Sequence, residues 1–193
     1  MILASRNEHK LRELAEILPG VDLRPLPPEV EMPPEDGAGF AANALIKARA
    51  AHAATGEAAV ADDSGISASA LGGRPGIHSA RYAGEGASDE ENLAKLLREV
   101  AAAGAERTAA YVCVIALVGA DGVEETFEGR CEGRLIIEPR GEGGFGYDPA
   151  FVPDDTGAAD ERTMAELSAA EKHAISHRGR AARLLAEHLE GAP

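Results

Sequence analysis

The chain has 193 residues and a net charge of −14, with 33 Asp and Glu against 19 Lys and Arg. That length allows one domain with a sizeable core, and the acidity argues against direct nucleic-acid binding, which needs a basic footprint. A small anionic ligand remains open, provided local cations and a divalent metal offset the surrounding field.

The apolar start, Met1-Ile2-Leu3-Ala4, is too short for a secretory signal, and no later stretch has the length of a membrane span. A cytoplasmic protein without membrane association is expected. Residues 1–5 read as a buried strand. Asn7 caps a helix to about residue 18, with Leu11, Leu14 and Leu18 on one face. The connection Ser5-Arg6-Asn7-Glu8-His9-Lys10 offers backbone N–H groups, a hydroxyl, an amide and a lysine, which suits a phosphate. Most such turns are only helix caps, and the glycines of a P-loop are missing.

Residues 21–26 read as a second strand, followed by a proline-rich irregular segment to Glu35-Asp36-Gly37. A helix over residues 40–54 sets Asn43 and Lys47 four apart on one face, with Phe40 and Ala44 on or near it. That face is either solvated or partly buried and functional. Next comes Ala59-Val60-Ala61-Asp62-Asp63-Ser64-Gly65, a buried strand with both carboxylates expected at its C-terminal tip, where open α/β sheets bind ligands. Neighbouring carboxylates there suit Mg²⁺, and Gly65 lets the backbone turn close to a phosphate; the alternative is a polar strand end with an Asx-type turn.

Leu71-Gly72-Gly73-Arg74-Pro75-Gly76 reads as a loop, and residues 77–82 as a short helix. Ser88-Asp89-Glu90-Glu91 is a capping box for a helix to about residue 103 that turns Leu93, Leu96, Leu97 and Val100 inward. Residues 111–118 are the most strand-like run and suit a central position. A two-residue Asp121-Gly122 turn then leads into an antiparallel partner over residues 123–138. It carries Val123, Phe127, Cys131, Leu135 and Ile137 on one face, which makes the sheet mixed. On that register Cys113 faces Arg130, and two separate buried thiols are expected.

The stretch Gly141-Glu142-Gly143-Gly144-Phe145-Gly146-Tyr147-Asp148-Pro149 contains a literal GxGxxG, but it leads into Tyr-Asp-Pro rather than a helix, which rejects a dinucleotide-binding turn. Phe145 and Tyr147 either stack on a planar ring or plug the core. Residues 154–162 form a polar, mobile loop. Ser168-Ala169-Ala170-Glu171 caps a short helix, and Ser176 caps a terminal helix with Leu184, Leu185 and Leu189 inward. His173 and His177 are spaced i,i+4 but lack the further ligands of a zinc site.

These stretches fall in a specific order. Ser5-x-Asn7-x-x-Lys10, Glu35-x-Gly37 with Phe40-x-x-Asn43-Ala44-x-x-Lys47-Ala48, and Ala61-Asp62-Asp63-Ser64-Gly65 come first. Leu71-Gly72-Gly73-x-Pro75-Gly76-x-x-Ser79-Ala80-Arg81-Tyr82, Gly143-Gly144-Phe145-Gly146-Tyr147-Asp148-Pro149 and Ser176-His177-Arg178-Gly179 follow. The ordered set resembles the inosine triphosphatase family, the XTP/dITP pyrophosphatases that clear damaged purine nucleotides. Departures are modest: Arg6 stands where glycine is common, Ala42 and Pro34 where acidic residues are frequent, and His78 where tyrosine is common.

The resemblance implies a single α/β domain over residues 1–193, an elongated mixed sheet with flanking helices, two lobes around a central nucleotide cleft, and a homodimer. The implied reaction is Mg²⁺-dependent hydrolysis of ITP, dITP or XTP to the monophosphate and pyrophosphate. Asp63 would hold Mg²⁺ and accept a proton from the attacking water, with Glu35 a further ligand and Asp62 in support. Ser5, Arg6, Asn7, Glu8, His9, Lys10 and Lys47 would hold the triphosphate. Phe145, Gly146, Tyr147, Asp148, Lys172, His177 and Arg178 would read the base, with Ser64 nearby. A Maf-like pyrophosphatase is the neighbouring alternative, opposed by the Gly-Phe-Gly-Tyr-Asp loop and the Ser-His-Arg ending. A nucleotide sensor without catalysis is the other, opposed by the presence of Glu35, Asp63 and Lys10 together.

Overall fold

The apolar runs become the strands of one sheet. In the computed structural model, which describes residues 1–191, the strands are β1 (Ile2–Leu3), β2 (Arg24–Pro25), β3 (Ala59–Ala68), β4 (Thr108–Val118), β5 (Glu124–Leu135) and β6 (Phe151–Pro153). They lie in the order β2-β1-β3-β4-β5-β6. β1 pairs in parallel with β2 and β3, while β5 pairs antiparallel with β6, so the sheet is mixed as expected. The helices are α1 (Glu8–Ile17), α2 (Phe40–Thr55), α3 (Asp89–Ala103), α4 (Ala169–Ile175) and α5 (His177–Gly191).

The chain divides into two compact units. The first comprises Met1–Asp63, Cys113–Gly129 and the C-terminal stretch from Arg178; the second comprises Ser64–Val112 and Arg130–His177. β3, β4 and β5 each carry the chain from one unit into the other.

In the first unit, alternation along the strands builds two cores. Val114, Ala116 and Val118 of β4 join Ala59 and Ala61 of β3 against Ala44, Ala48 and Ala51 of α2. Cys113, Ile115 and Leu117 join Val60 against Leu14 and Leu18 on the α1 side and Ala181, Ala182 and Leu185 of α5. The abundance of alanine has its use here, because small side chains let α2 lie close on the sheet. In the second unit, Leu93, Leu96, Leu97 and Val100 of α3 pack with Ile66, Tyr111, Cys131, Leu135 and Phe151. Both capping boxes form, at Ser88 and Ser168.

Four local expectations differ from what forms. The second strand shrinks to Arg24–Pro25, because the prolines that follow cannot continue a ladder. The β4–β5 turn has three residues rather than two: Gly119 N–H donates to the Val123 carbonyl at 2.8 Å, and Gly122 N–H donates to Gly119. Val123 and Ile137 lie just outside β5 and are exposed at 56% and 52%, so only the central part of the alternation is buried. Leu184 is also exposed, since Ala181, Ala182 and Leu185 fill the buried stripe of α5.

Candidate functional site

β3 runs on past its carboxylates to Ala68, so Asp62 and Asp63 sit within the strand and not at its tip. Gly65 does not turn the chain. It is extended, and a Cβ there would collide with the Gly76 carbonyl and Ser79 Oγ, whose segment closes against the strand. Ser79 Oγ also receives the Ile66 N–H at 2.9 Å.

Because side chains alternate along a strand, the adjacent aspartates face opposite sides of it. Asp62 continues the face of Val60, where α1 and α5 pack; Asp63 continues the face of Ala59 and Ala61, where α2 packs. Their partners follow. Asp62 meets Lys10 Nζ at 3.0 Å and Arg178 Nη2 at 3.2 Å, and Arg178 also reaches Glu13 one turn beyond Lys10. Asp63 accepts from Asn43 Nδ2 at 3.0 Å and faces Lys47 Nζ at 3.6 Å.

The two environments push the carboxyls in opposite directions. Burial acts to raise the Asp62 pKa, but Lys10, Arg178 and Lys47 overcome it and hold the group well below the usual carboxylate range. Burial also raises Asp63; there Lys47, the Asn43 hydrogen bond and Lys10 offset only part, so its pKa stays above the ordinary value. Burial works against the Lys47 charge, yet Asp62, Asp63 and Glu35 raise its pKa. Beneath Asp62, burial first and the Asp62 charge second push the Cys113 thiol up to about 12.

Among the described residues no three His, Cys, Asp or Glu side chains converge into a ready metal cage. What the first unit offers is two carboxylates on one cation, for Lys47 Nζ lies 2.6 Å from Glu35 and 3.6 Å from Asp63. Asn43 Oδ1 accepts the Gly37 N–H at 2.8 Å, which ties the Glu35 segment to α2. An ammonium between two carboxylates marks a place that favours positive charge. Mg²⁺ commonly binds through one or two carboxylates, with waters and substrate phosphates completing its shell, so this donor set fits it.

The turn before α1 is mostly engaged in capping. Asn7 Oδ1 accepts from His9 N–H and Lys10 N–H at 3.0 and 3.2 Å, and Ser5 Oγ accepts from Asn7 N–H at 3.2 Å. Glu8 and His9 are exposed. Arg6 is engaged with backbone: its guanidinium donates to the carbonyls of Leu26, Pro27 and Val30 at 2.8–3.0 Å, pinning the start of the proline-rich segment.

The second unit gathers the other expected residues, with Ser64 half-buried on β3. Asp148 is 3% exposed and accepts from Lys172 Nζ at 2.8 Å, Phe145 N–H at 2.9 Å and Tyr111 Oη at 3.1 Å. Gly144 adopts φ +70°, and a Cβ there would strike the Asp148 carboxylate, so glycine is what lets the loop wrap it. Lys172 Nζ lies 5.1 Å from the centre of the half-buried Phe145 ring. Gly146 N–H donates to Asp89 at 2.8 Å. Tyr147 takes the core alternative: it is buried and its hydroxyl donates to the Ser79 carbonyl at 2.7 Å. The His177 ring is buried and stacks on Tyr111 at 4.5 Å and 7°.

Sequence reasoning left out two residues that the structure brings in. Glu13 was hidden as an ordinary helix acid, although its i,i+3 spacing from Lys10 puts both on one face. Tyr111 read as one more apolar strand residue, although a buried tyrosine hydroxyl needs a partner.

The sequence profile of the Ham1 family matches residues 1–188. A dITP/XTP pyrophosphatase of Geobacter sulfurreducens is 51% identical over 197 residues, covering 98% of this chain and 96% of that protein. Another from Symbiobacterium thermophilum is 51% identical over 199 residues, covering 100% and 94%. The solved structure of a HAM1 protein from Coxiella burnetii superposes with a TM-score of 0.88 at 42% identity, covering 99% of this chain and 98% of that one. The Staphylococcus aureus Ham1 protein gives 0.86 at 40% identity, covering 98% and 97%. Profile, sequence and fold agree over nearly the whole length, and the chain belongs to the Ham1 family.

Proposed function

We propose that this protein is a Mg²⁺-dependent pyrophosphatase that hydrolyses the non-standard purine triphosphates ITP, dITP and XTP to monophosphate and pyrophosphate. It works as one functional domain, as a cytoplasmic homodimer. The observation that carries the reading is the cluster of buried Asp63 on β3 with buried Asn43 and Lys47 on α2, which the half-buried Glu35 joins from the segment before α2. The names of the relatives at about half identity support it.

Asp63 and Glu35 would hold Mg²⁺, which when bound offsets phosphate charge and acidifies water. Asp63 would accept a proton from the attacking water; as a metal ligand it is a limited base, so much of the effect would come from the acidity of the water itself. Asn43 fixes the orientation of that carboxylate by donating to Oδ2. Lys47 and Lys10 offset the negative charge of the triphosphate. The ion pairs around Asp62 and Asp63 set three cations, Lys10, Lys47 and Arg178, against four carboxylates, Glu13, Glu35, Asp62 and Asp63. A polyanionic substrate therefore needs a divalent cation to arrive with it.

Phe145 would stack on the purine, and Lys172 and His177 would meet the 6-oxo group of hypoxanthine or xanthine. Adenine presents an amino donor there, which leaves buried donors facing one another and is strongly rejected. Asp148 holds the loop and Lys172 in place, Tyr147 anchors the loop through Ser79, and Arg178 acts through Asp62. Pyrophosphate release measured with ITP, dITP, XTP, GTP and ATP, with and without Mg²⁺, tests the reading. Activity is expected on the first three, dependent on the metal; preference for ATP, or binding without turnover, would refute it.

A further inference from the structure

We infer that Tyr111 is a specificity-determining positioning residue, whose ring fixes the His177 imidazole against which the purine is read. The inference rests on the functional reading above, since it takes His177 as a base-contacting group.

Tyr111 is the one aromatic residue in β4, Thr108–Val118. It belongs to the same compact unit as the base-reading residues. Its ring lies parallel to the His177 ring, with centroids 4.5 Å apart and planes 7° apart, and meets the Phe151 ring edge-on at 4.7 Å. Its hydroxyl donates to Asp148 Oδ1 at 3.1 Å, on the carboxylate that also receives Phe145 N–H and Lys172 Nζ. One side chain thus touches both supports of the pocket, the imidazole directly and the loop through Asp148. The tyrosine is itself 6% exposed and fixed on a central strand, so it is a rigid backing rather than a contact for substrate.

The two contacts differ in weight. Asp148 keeps Lys172 and Phe145 when the tyrosine hydroxyl is removed, so that loss is small. The imidazole has the phenol ring stacked on one face, and removing the ring leaves a void on that side. Base reading should therefore depend on the ring and not on the hydroxyl.

The test uses Tyr111→Phe and Tyr111→Leu in the full chain, with kcat and KM for ITP and GTP and the Tm of each variant. Tyr111→Phe is expected to stay within about twofold of wild type in KM and in the ITP-to-GTP ratio of kcat/KM. Tyr111→Leu is expected to raise KM for ITP by about three- to tenfold, the range an aromatic pair spans, with kcat held and the ratio reduced. A folded Tyr111→Leu with unchanged KM and ratio overturns the inference, as does an equal loss in Tyr111→Phe. A measurement on wild-type protein covers failure of the leucine variant to fold. The His177 ring proton signals should lie upfield under the facing phenol, and signals at ordinary positions overturn the inference; signals indifferent to added IMP would defeat the base-reading role of His177, and so the functional reading. Absence of ITP hydrolysis by wild type would instead defeat the functional reading itself.

Discussion

Replacing Asp62 and Asp63 one at a time by asparagine separates two neighbours that the sequence presents as equivalent. Asp62→Asn leaves Lys10 and Arg178 facing a neutral amide on the α1/α5 side, with Arg178 retaining Glu13. Breaking a buried ion pair by removing one member costs about 3–5 kcal/mol. Asp63→Asn is different. Its charged form is under-compensated in the fold, Lys47 keeps Glu35 at 2.6 Å, and the amide oxygen can still accept from Asn43. Without Mg²⁺ its cost should be at most about 1 kcal/mol, the worth of one ordinary hydrogen bond, and a gain is possible.

Urea unfolding near neutral pH in the presence of a chelator measures both. Acid titration of stability gives the sign independently. The Asp62 pKa is lowered from 3.8, so its contribution is present above that value and is lost below it, as pH falls through the folded pKa. The Asp63 pKa is raised from 3.8, so its contribution is present below that value and is lost as pH rises through the folded pKa. The wild type should therefore lose more stability than Asp62→Asn on acidification below about pH 4. Equal costs for the two variants would refute the opposite-face account.

Arg6→Ala should cost stability, about 0.5–1.5 kcal/mol, because carbonyls at Leu26, Pro27 and Val30 lose their charged donor at an exposed site where water can replace it. Urea unfolding checks this, and an unchanged stability with a large rise in KM would return Arg6 to the triphosphate. Cys113 should resist alkylation in folded protein near pH 8 and react once urea unfolds it; labelling followed by mass analysis decides, and fast labelling of the native state would contradict its burial. Its thiol ionises at 9.0 when unfolded but near 12 when folded, so between those values stability should fall with rising pH.

Much of the architecture was legible because hydrophobic period and capping chemistry are local. The Asn7 cap, both Ser capping boxes and the apolar stripe of α3 form as their residues require. The strand ends were less legible, since Val123 and Ile137 fit the alternation but lie beyond the ladder. Among the site residues, Asp63, Glu35 and Lys47 were read as functional, and the structure gathers them. The separation of Asp62 from Asp63 was hidden by placing both at a strand tip, where alternation does not apply. Once the strand runs to Ala68, period two alone puts them on opposite faces. The duties of Arg6, Tyr147 and Tyr111 could not be read locally, because each is set by a partner at least twenty residues away.

Turnover of ITP by Asp63→Asn, with Mg²⁺ present and folding confirmed, tests the central claim most directly. Loss of the proton acceptor should lower kcat by about 10²–10⁴-fold, the contribution of a positioned base, while unfolding shows an intact core. A folded Asp63→Asn that releases pyrophosphate at the wild-type rate would contradict the placement of the chemistry on Asp63.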